Sequence, residues 1–244
     1  MTTAPAGDDS PRPPAARPSG FDPREDASAR TVVWSAMGGW RGVAESVLPS
    51  LLFVVIFTVA HAAAVTGPEL LWLSLAPSVG LAAVFTAVRL VGRTQPAAAI
   101  GGLIAAVAAA ALALLTGRGE DNFVIGFVSN ALYGSALIIS ALVRYPLVGV
   151  VVGIVTGEGL RWRRDARKRR TYTWLSLAWA ALFAGRLAVQ LPLYLAAEVT
   201  WLGTAKLAMG LPLFAPLVAL SWLAVRPLYA RPDTETASGS AAQR

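Results

Sequence analysis

Residues 146–170 read PLVGVVVGIVTGEGLRWRRDARKRR. An apolar run ends in TGEGL and gives way to seven Arg or Lys within the ten positions Arg161 to Arg170, with Asp165 the single acid among them. Whether the apolar run crosses a membrane fixes the number of spans and the side on which the basic residues lie. As a helix, residues 146–160 would rise about 22 Å at 1.5 Å per residue, against a hydrocarbon core of about 30 Å. The length predicts a re-entrant or interfacial helix that enters from one side without crossing.

Composition says why lipid is the solvent to reason with. Of the 244 residues, 55% are hydrophobic and 14% charged, whereas a soluble domain carries about 25% charged residues. The apolar residues are gathered in blocks, several of which reach the roughly 18 to 20 residues that span a bilayer. Spans are predicted over about 47–65, 70–88, 97–115, 123–143, 174–196 and 199–225, with breaks of the type TGPE and TGRGEDN between them. The fold class is all-α: a polytopic membrane bundle of six spans plus the short helix. Residues 31–46, with Trp34 and Trp40 beside Arg41 and Glu45, suit an interfacial amphipathic helix. The segments 1–30 and 226–244, rich in Pro, Ala and polar residues, read as disordered tails around the 47–225 bundle, and the first is no cleaved signal peptide.

Basic residues in short loops are retained on the cytoplasmic side. With the amino terminus inside and residues 146–160 not crossing, 18 of the 21 Lys and Arg lie inside. The outer loops then hold Arg118 alone, together with Glu69, Glu120, Asp121 and Glu198. If the short helix crossed, the basic run would lie outside and the later spans would invert. Charge therefore predicts six spans with both termini cytoplasmic. The run Arg161, Arg163, Arg164, Arg167, Lys168, Arg169 and Arg170 is read as a topology anchor and a contact for anionic headgroups, worth about 1 kcal/mol per residue near the surface. The net charge of +7 does not imply nucleic acid, because a short tethered loop offers little of the interface that specific recognition buries.

Few residues carry candidate chemistry. Arg186 lies in the middle of the fifth span, where insertion costs roughly 2.5 to 3.5 kcal/mol and an interior partner or water is needed. Gln190 follows four residues later on the same helical face. No acid lies mid-span, so Glu158, reaching up from the short helix, is the expected partner. Arg186, Gln190 and Glu158 make a candidate polar site for an anionic ligand, a headgroup or a gating ion pair; the competing reading is a structural Arg bound to carbonyls. Gly149, Gly153 and Gly157 form a stripe that lets another backbone approach closely. Lys206 is read as snorkelling to the outer surface, His61 as isolated, and Asn130 with Gly126 and Gly134 as helix packing. The chain has no cysteine, which excludes disulfides, thiolate metal sites and thiol nucleophiles. No protease, hydrolase or P-loop motif occurs, so no enzyme, metal or cofactor is expected.

Two stretches, RGVAESVLPSLLFVVIFTV (41–59) and the run from VRYPLVG to LPLYL (143–195), resemble the domain of unknown function 3159 family, multi-pass membrane proteins of high-GC bacteria. The most specific part is PLVG followed by GEG, the basic run and AWAALFAGR (178–186). The resemblance implies a bacterial plasma-membrane protein and carries no assigned activity. More loosely, PL, the basic linker and LAWAALF (177–183) are similar to intracellular septation protein A, an inner-membrane protein connected with envelope and division. Two functions remain open: a transporter-like or lipid-interacting protein built around Arg186, and a non-enzymatic envelope or cell-division organiser. Membrane lipids are the expected partners, with a second copy or an envelope protein left open.

Overall fold

The computed structural model describes residues 28, 31, 32, 34, 38–92 and 96–229. The predicted tails 1–30 and 226–244 lie outside the described residues, apart from residue 28 and residues 226–229. In chain order the helices are α1 (Gly39–Ala62), α2 (Gly67–Val91), α3 (Pro96–Thr116), α4 (Val124–Leu142), α5 (Leu147–Val155), α6 (Ala166–Leu195), α7 (Val199–Ala208) and α8 (Leu211–Val225). Short 3-10 segments occupy Gly119–Phe123, Arg161–Arg164 and Arg226–Leu228, and there is no strand among the described residues. Among the described residues six segments are long and apolar enough to cross a membrane, the sixth running through α7 and α8. The protein is an all-helical, multi-pass membrane protein. Large apolar side chains such as Val59, Trp72, Leu132 and Leu195 point outward, as a lipid-facing surface requires.

Three boundaries differ from the sequence reading. Residues 39–46, assigned above to an interfacial helix, are continuous with the first span in α1. The basic run is not a loop: Arg161–Arg164 is a 3-10 turn, and residues 166–170 already belong to α6. The cause is Asp165, whose carboxylate accepts from the Arg167 and Lys168 backbone N–H groups at 2.8 and 3.3 Å, supplying the cap that a helix start otherwise lacks. The sixth span is broken at Met209 and Gly210, where Gly210 adopts ψ −111 and a new helix begins at Leu211 with Pro212 in its first turn. Proline suits that position because it needs no hydrogen bond there.

The short helix α5 has 9 residues, about 13 Å of rise. Its exposed start is satisfied by Ser140 Oγ, which accepts from Leu147 N at 3.1 Å, and by Ser176 Oγ, which accepts from Val148 N at 3.3 Å. It ends because Gly157 takes a left-handed φ of +67 and Gly159 N donates to Gly153 O at 2.8 Å, satisfying a carbonyl the helix end leaves free. Gly149 and Gly153 do lie on a contact face. A Cβ on Gly149 would meet the Tyr172 ring at 2.7 Å, and one on Gly153 would meet the Gly159 carbonyl at 2.1 Å. Gly157 has open space around it and serves the turn instead. Trp162, fully buried, fills the gap between α5 and α6 and meets Tyr172 edge-on at 5.3 Å.

These contacts turn the chain back on itself. Arg163 stacks on the Tyr145 ring and bonds its hydroxyl, so the two ends of the 146–160 segment meet. Tyr229, just past α8, donates to Glu158 at 2.5 Å and pairs with the Tyr172 hydroxyl at 3.0 Å. The end of the sixth span therefore shares one face of the bundle with the basic run, as six crossings require. This face also carries Arg89, Arg144 and Arg226, and is called the basic face below.

Because Gly153 has no room for a side chain, Gly153→Ala is expected to cost about 1 to 3 kcal/mol. Gly80→Ala, at an exposed helical glycine with nothing within 4 Å, is the matched control and raises stability by up to about 1 kcal/mol. Thermal unfolding of the detergent-solubilised variants checks both.

Candidate functional site: a cationic centre inside the bundle

Helix α6 places Arg186 nine residues before its end at Leu195, about 13 Å below the far face. Lys206 lies seven residues into α7 from Val199, about 10 Å deep. The two cations are thus at similar depth, on neighbouring helices. Both line a cavity of about 260 Å³ walled also by Ser129, Asn130, Tyr133 and Gln190. Both also line a second cavity, of about 290 Å³, walled by Ser46 and Ser50 of α1 and by Gly210 and Leu211 at the helix break. Lys206 alone extends into a third, of about 280 Å³, with Ser50, Ser78 and Asn122. Each volume is far above the roughly 10 to 15 Å³ that admits one water.

No Asp or Glu among the described residues lines any of these three cavities. The ion pairs found among the described residues involve neither cation. Arg186 Nε and Gln190 Nε2 are buried without a hydrogen-bond partner among the described residues, and Gln190 is only 3% exposed. The Lys206 ammonium rests 5.1 Å from the centroid of the Phe123 ring, a cation–π contact that compensates part of the lost hydration. The result is a polar centre with net positive charge, unpaired donors and room for a guest. The broken span adds to it, since the first N–H groups of α8 open at Gly210 and a helix start favours negative charge.

A match to the family model described as Protein of unknown function (DUF3159) covers residues 37–232. The chain belongs to this family. No curated protein and no solved structure matches it.

In this family member the predicted site residues divide between two places. Arg186 and Gln190 share the intramembrane cavity. Glu158 does not join them: it accepts from Lys168 Nζ at 2.9 and 3.0 Å and from the Tyr229 hydroxyl at 2.5 Å, on the basic face. The short helix ends at Val155, and the left-handed turn at Gly157 is followed by Glu158 beside Lys168 and Tyr229 rather than beside Arg186. Lys206 does not snorkel outward but joins Arg186. Its interior course was marked in the sequence by MGLP at 209–212, a Gly and Pro interruption inside an apolar run, which is the pattern of a discontinuous span. Of the seven basic residues proposed as a lipid contact, Arg161, Arg164, Arg167, Arg169 and Arg170 are exposed, while Arg163 and Lys168 are engaged with Tyr145 and Glu158. Asn130 is buried and lines the cavity, beyond the packing role expected of it.

Burial alone would raise the Glu158 pKa, but hydrogen bonds from Tyr229 and Lys168 outweigh it and hold the carboxyl below the ordinary glutamate value. A depressed folded-state pKa contributes stability that is fully present above the unfolded-state value and lost as pH falls through the folded-state value. The melting temperature of the solubilised protein should therefore drop on acidification below the ordinary glutamate range. Glu158→Gln and Tyr229→Phe should each flatten that part of the pH profile, as followed by tryptophan fluorescence.

Proposed function

We propose that this protein is a transporter-like membrane protein that binds an anionic group at the Arg186, Gln190 and Lys206 centre. One observation carries the reading: two cations face shared intramembrane cavities that no carboxylate among the described residues lines. Charged residues in a span face the bundle interior or water and mark substrate pathways by default. A structural arginine would be expected to have its donors taken by carbonyls, whereas Arg186 Nε has no partner among the described residues. The ligand chemistry is that of an oxoanion, supplied by a free solute such as phosphate or by the headgroup of an anionic lipid. The cavity between α1 and α8, with Val47, Leu207, Leu211 and Phe214 in its walls, suits the second source, and the polar cavity between α4 and α6 suits both.

The reading is of a non-enzymatic protein of the bacterial plasma membrane with the basic face cytoplasmic, a placement supported by the excess of Lys and Arg on that face. The exposed arginines at the start of α6 would hold anionic headgroups of that leaflet. They also favour the second reading, an envelope or division organiser that recruits partners through the same surface, in which Arg186 only supports the bundle.

The two readings diverge on Arg186→Ala. Removing an uncompensated buried charge should leave the protein as stable as before or more so. At the same time, the rise in melting temperature produced by inorganic phosphate, or by phosphatidylglycerol in nanodiscs, should disappear. Loss of one charged hydrogen-bond donor corresponds to about 1.5 to 3 kcal/mol of binding, roughly ten- to a hundredfold in affinity. Lys206→Met should behave alike. An anion response unchanged in both variants would remove the centre from the function and favour the organiser.

A further inference from the structure

The cationic centre is not equally far, in packing terms, from the two faces. Toward the far face the bundle is closed by direct contact. Phe53, Phe57, Phe123 and Leu202 are buried together, with the Phe53 ring 5.7 Å from Phe57 and 5.9 Å from Phe123, centroid to centroid. Val54 fills the place of a side chain on Gly203, where a Cβ would come within 2.1 Å of it, and Thr58 bonds Thr200 at 3.0 Å. The cavity beyond this plug, lined by His61, Thr66 and Glu198, shares no lining residue with the three at the centre.

Toward the basic face the packing opens. The cavity that holds Lys206, Ser50 and Ser78 shares Pro49, Ser50, Ala82, Gly102 and Ala106 with a further cavity of about 310 Å³ nearer that face. Its walls are α1, α2 and the small residues of α3, which leave a groove where larger side chains would fill it. At its mouth stand Glu45 and Arg89. Glu45, with a side chain 8% exposed, accepts from Arg89 and also from Arg41 at 2.8 Å. Two arginines on one carboxylate leave the mouth with a net positive charge, and one of them is bound to a partner that an incoming anion can replace.

We propose that the cationic centre is reached from the basic face through this passage between α1, α2 and α3, with the Glu45–Arg89 ion pair as its gate and the phenylalanine plug as the closed far side. The proposal rests on the anion-binding reading for what enters, and on the cavity walls alone for where it enters.

The chain has no cysteine, so single-cysteine variants of the full protein report without background. Ser50→Cys and Ser78→Cys sit in the passage, Thr66→Cys marks the far face and Arg164→Cys the basic face. In vesicles of known orientation, a membrane-impermeant anionic thiol reagent should modify Cys at 50 and 78 only from the side that exposes Arg164→Cys. Adding Glu45→Gln should speed that modification several-fold by freeing the gate. Modification from the Thr66 side, or none while both marker cysteines react, overturns the passage. Inorganic phosphate, or phosphatidylglycerol in place of neutral lipid, should slow the reaction at position 50 and so separate a free solute from a headgroup. One-sided labelling that neither slows would uphold the passage and overturn the anion reading.

Discussion

Lipid cannot solvate a charge, and the interior of this bundle holds two, on Arg186 and Lys206, with no carboxylate among the described residues lining the cavities they share. Most of what is unusual in the structure follows from accommodating them. Polar side chains gather where a tightly packed membrane interior would be apolar: Gln190 and Asn130 are buried beside Arg186, and Ser129 lines the same cavity. Helix α3, made largely of Ala and Gly, gives up side-chain volume along one wall. The sixth span breaks at Gly210, at the level of the cations, which exposes backbone dipoles where they are most useful. A bundle optimised for stability alone would have replaced both cations with leucine.

The same chain uses glycine for two opposite ends. Gly203 and Gly119 bring helices into direct contact, with Val54 and the Phe57 ring occupying the space their side chains would take. Gly102 lines two cavities and has no heavy atom within reach of an added Cβ. Closure on the far side and openness on the basic side are therefore written in residues of one type, and only their neighbours distinguish them. Pro49 works with the second group. It cannot donate to the carbonyl four residues earlier, and its own carbonyl accepts from Ser78 at 2.7 Å, which ties α1 to α2 at the level where the passage runs.

How much of this was legible in the sequence depends on range. Blocks of apolar residues and the placement of Lys and Arg are local quantities, and they suffice for six spans and for a short helix that turns back. Arg186 and Gln190 were also readable, since an i, i+4 pair in one span shares a face wherever the span packs. Glu158 was misplaced because the choice of partner depends on where α5 ends, and that was decided by Gly157 in a left-handed turn and by Tyr229, 71 residues away. Lys206 was misplaced for a related reason. A lysine about 10 Å from a helix end can reach the surface or the centre, and the direction is set by the neighbours on the other helices. The two cavities that the cations share are walled by five helices together, and no window of sequence contains them.

The basic run poses a final question of sign. Residues 167–170 place four cations in the first turns of α6, where the helix dipole disfavours positive charge by a few tenths to about 1 kcal/mol each. Local forces therefore oppose the helix start, and Asp165 offsets only part of the penalty. Tertiary contacts supply more: Trp162 under the glycines of α5, Lys168 on Glu158, and Tyr229 closing over both. Under the proposed function an anionic membrane surface would supply the remainder, because phosphates beside the exposed arginines would neutralise the repulsion among them and lie at the positive end of the dipole. The lipid surface would then be a structural partner of α6 as much as its surroundings, and the helix that carries Arg186 into the membrane would be anchored by charges of the same sign.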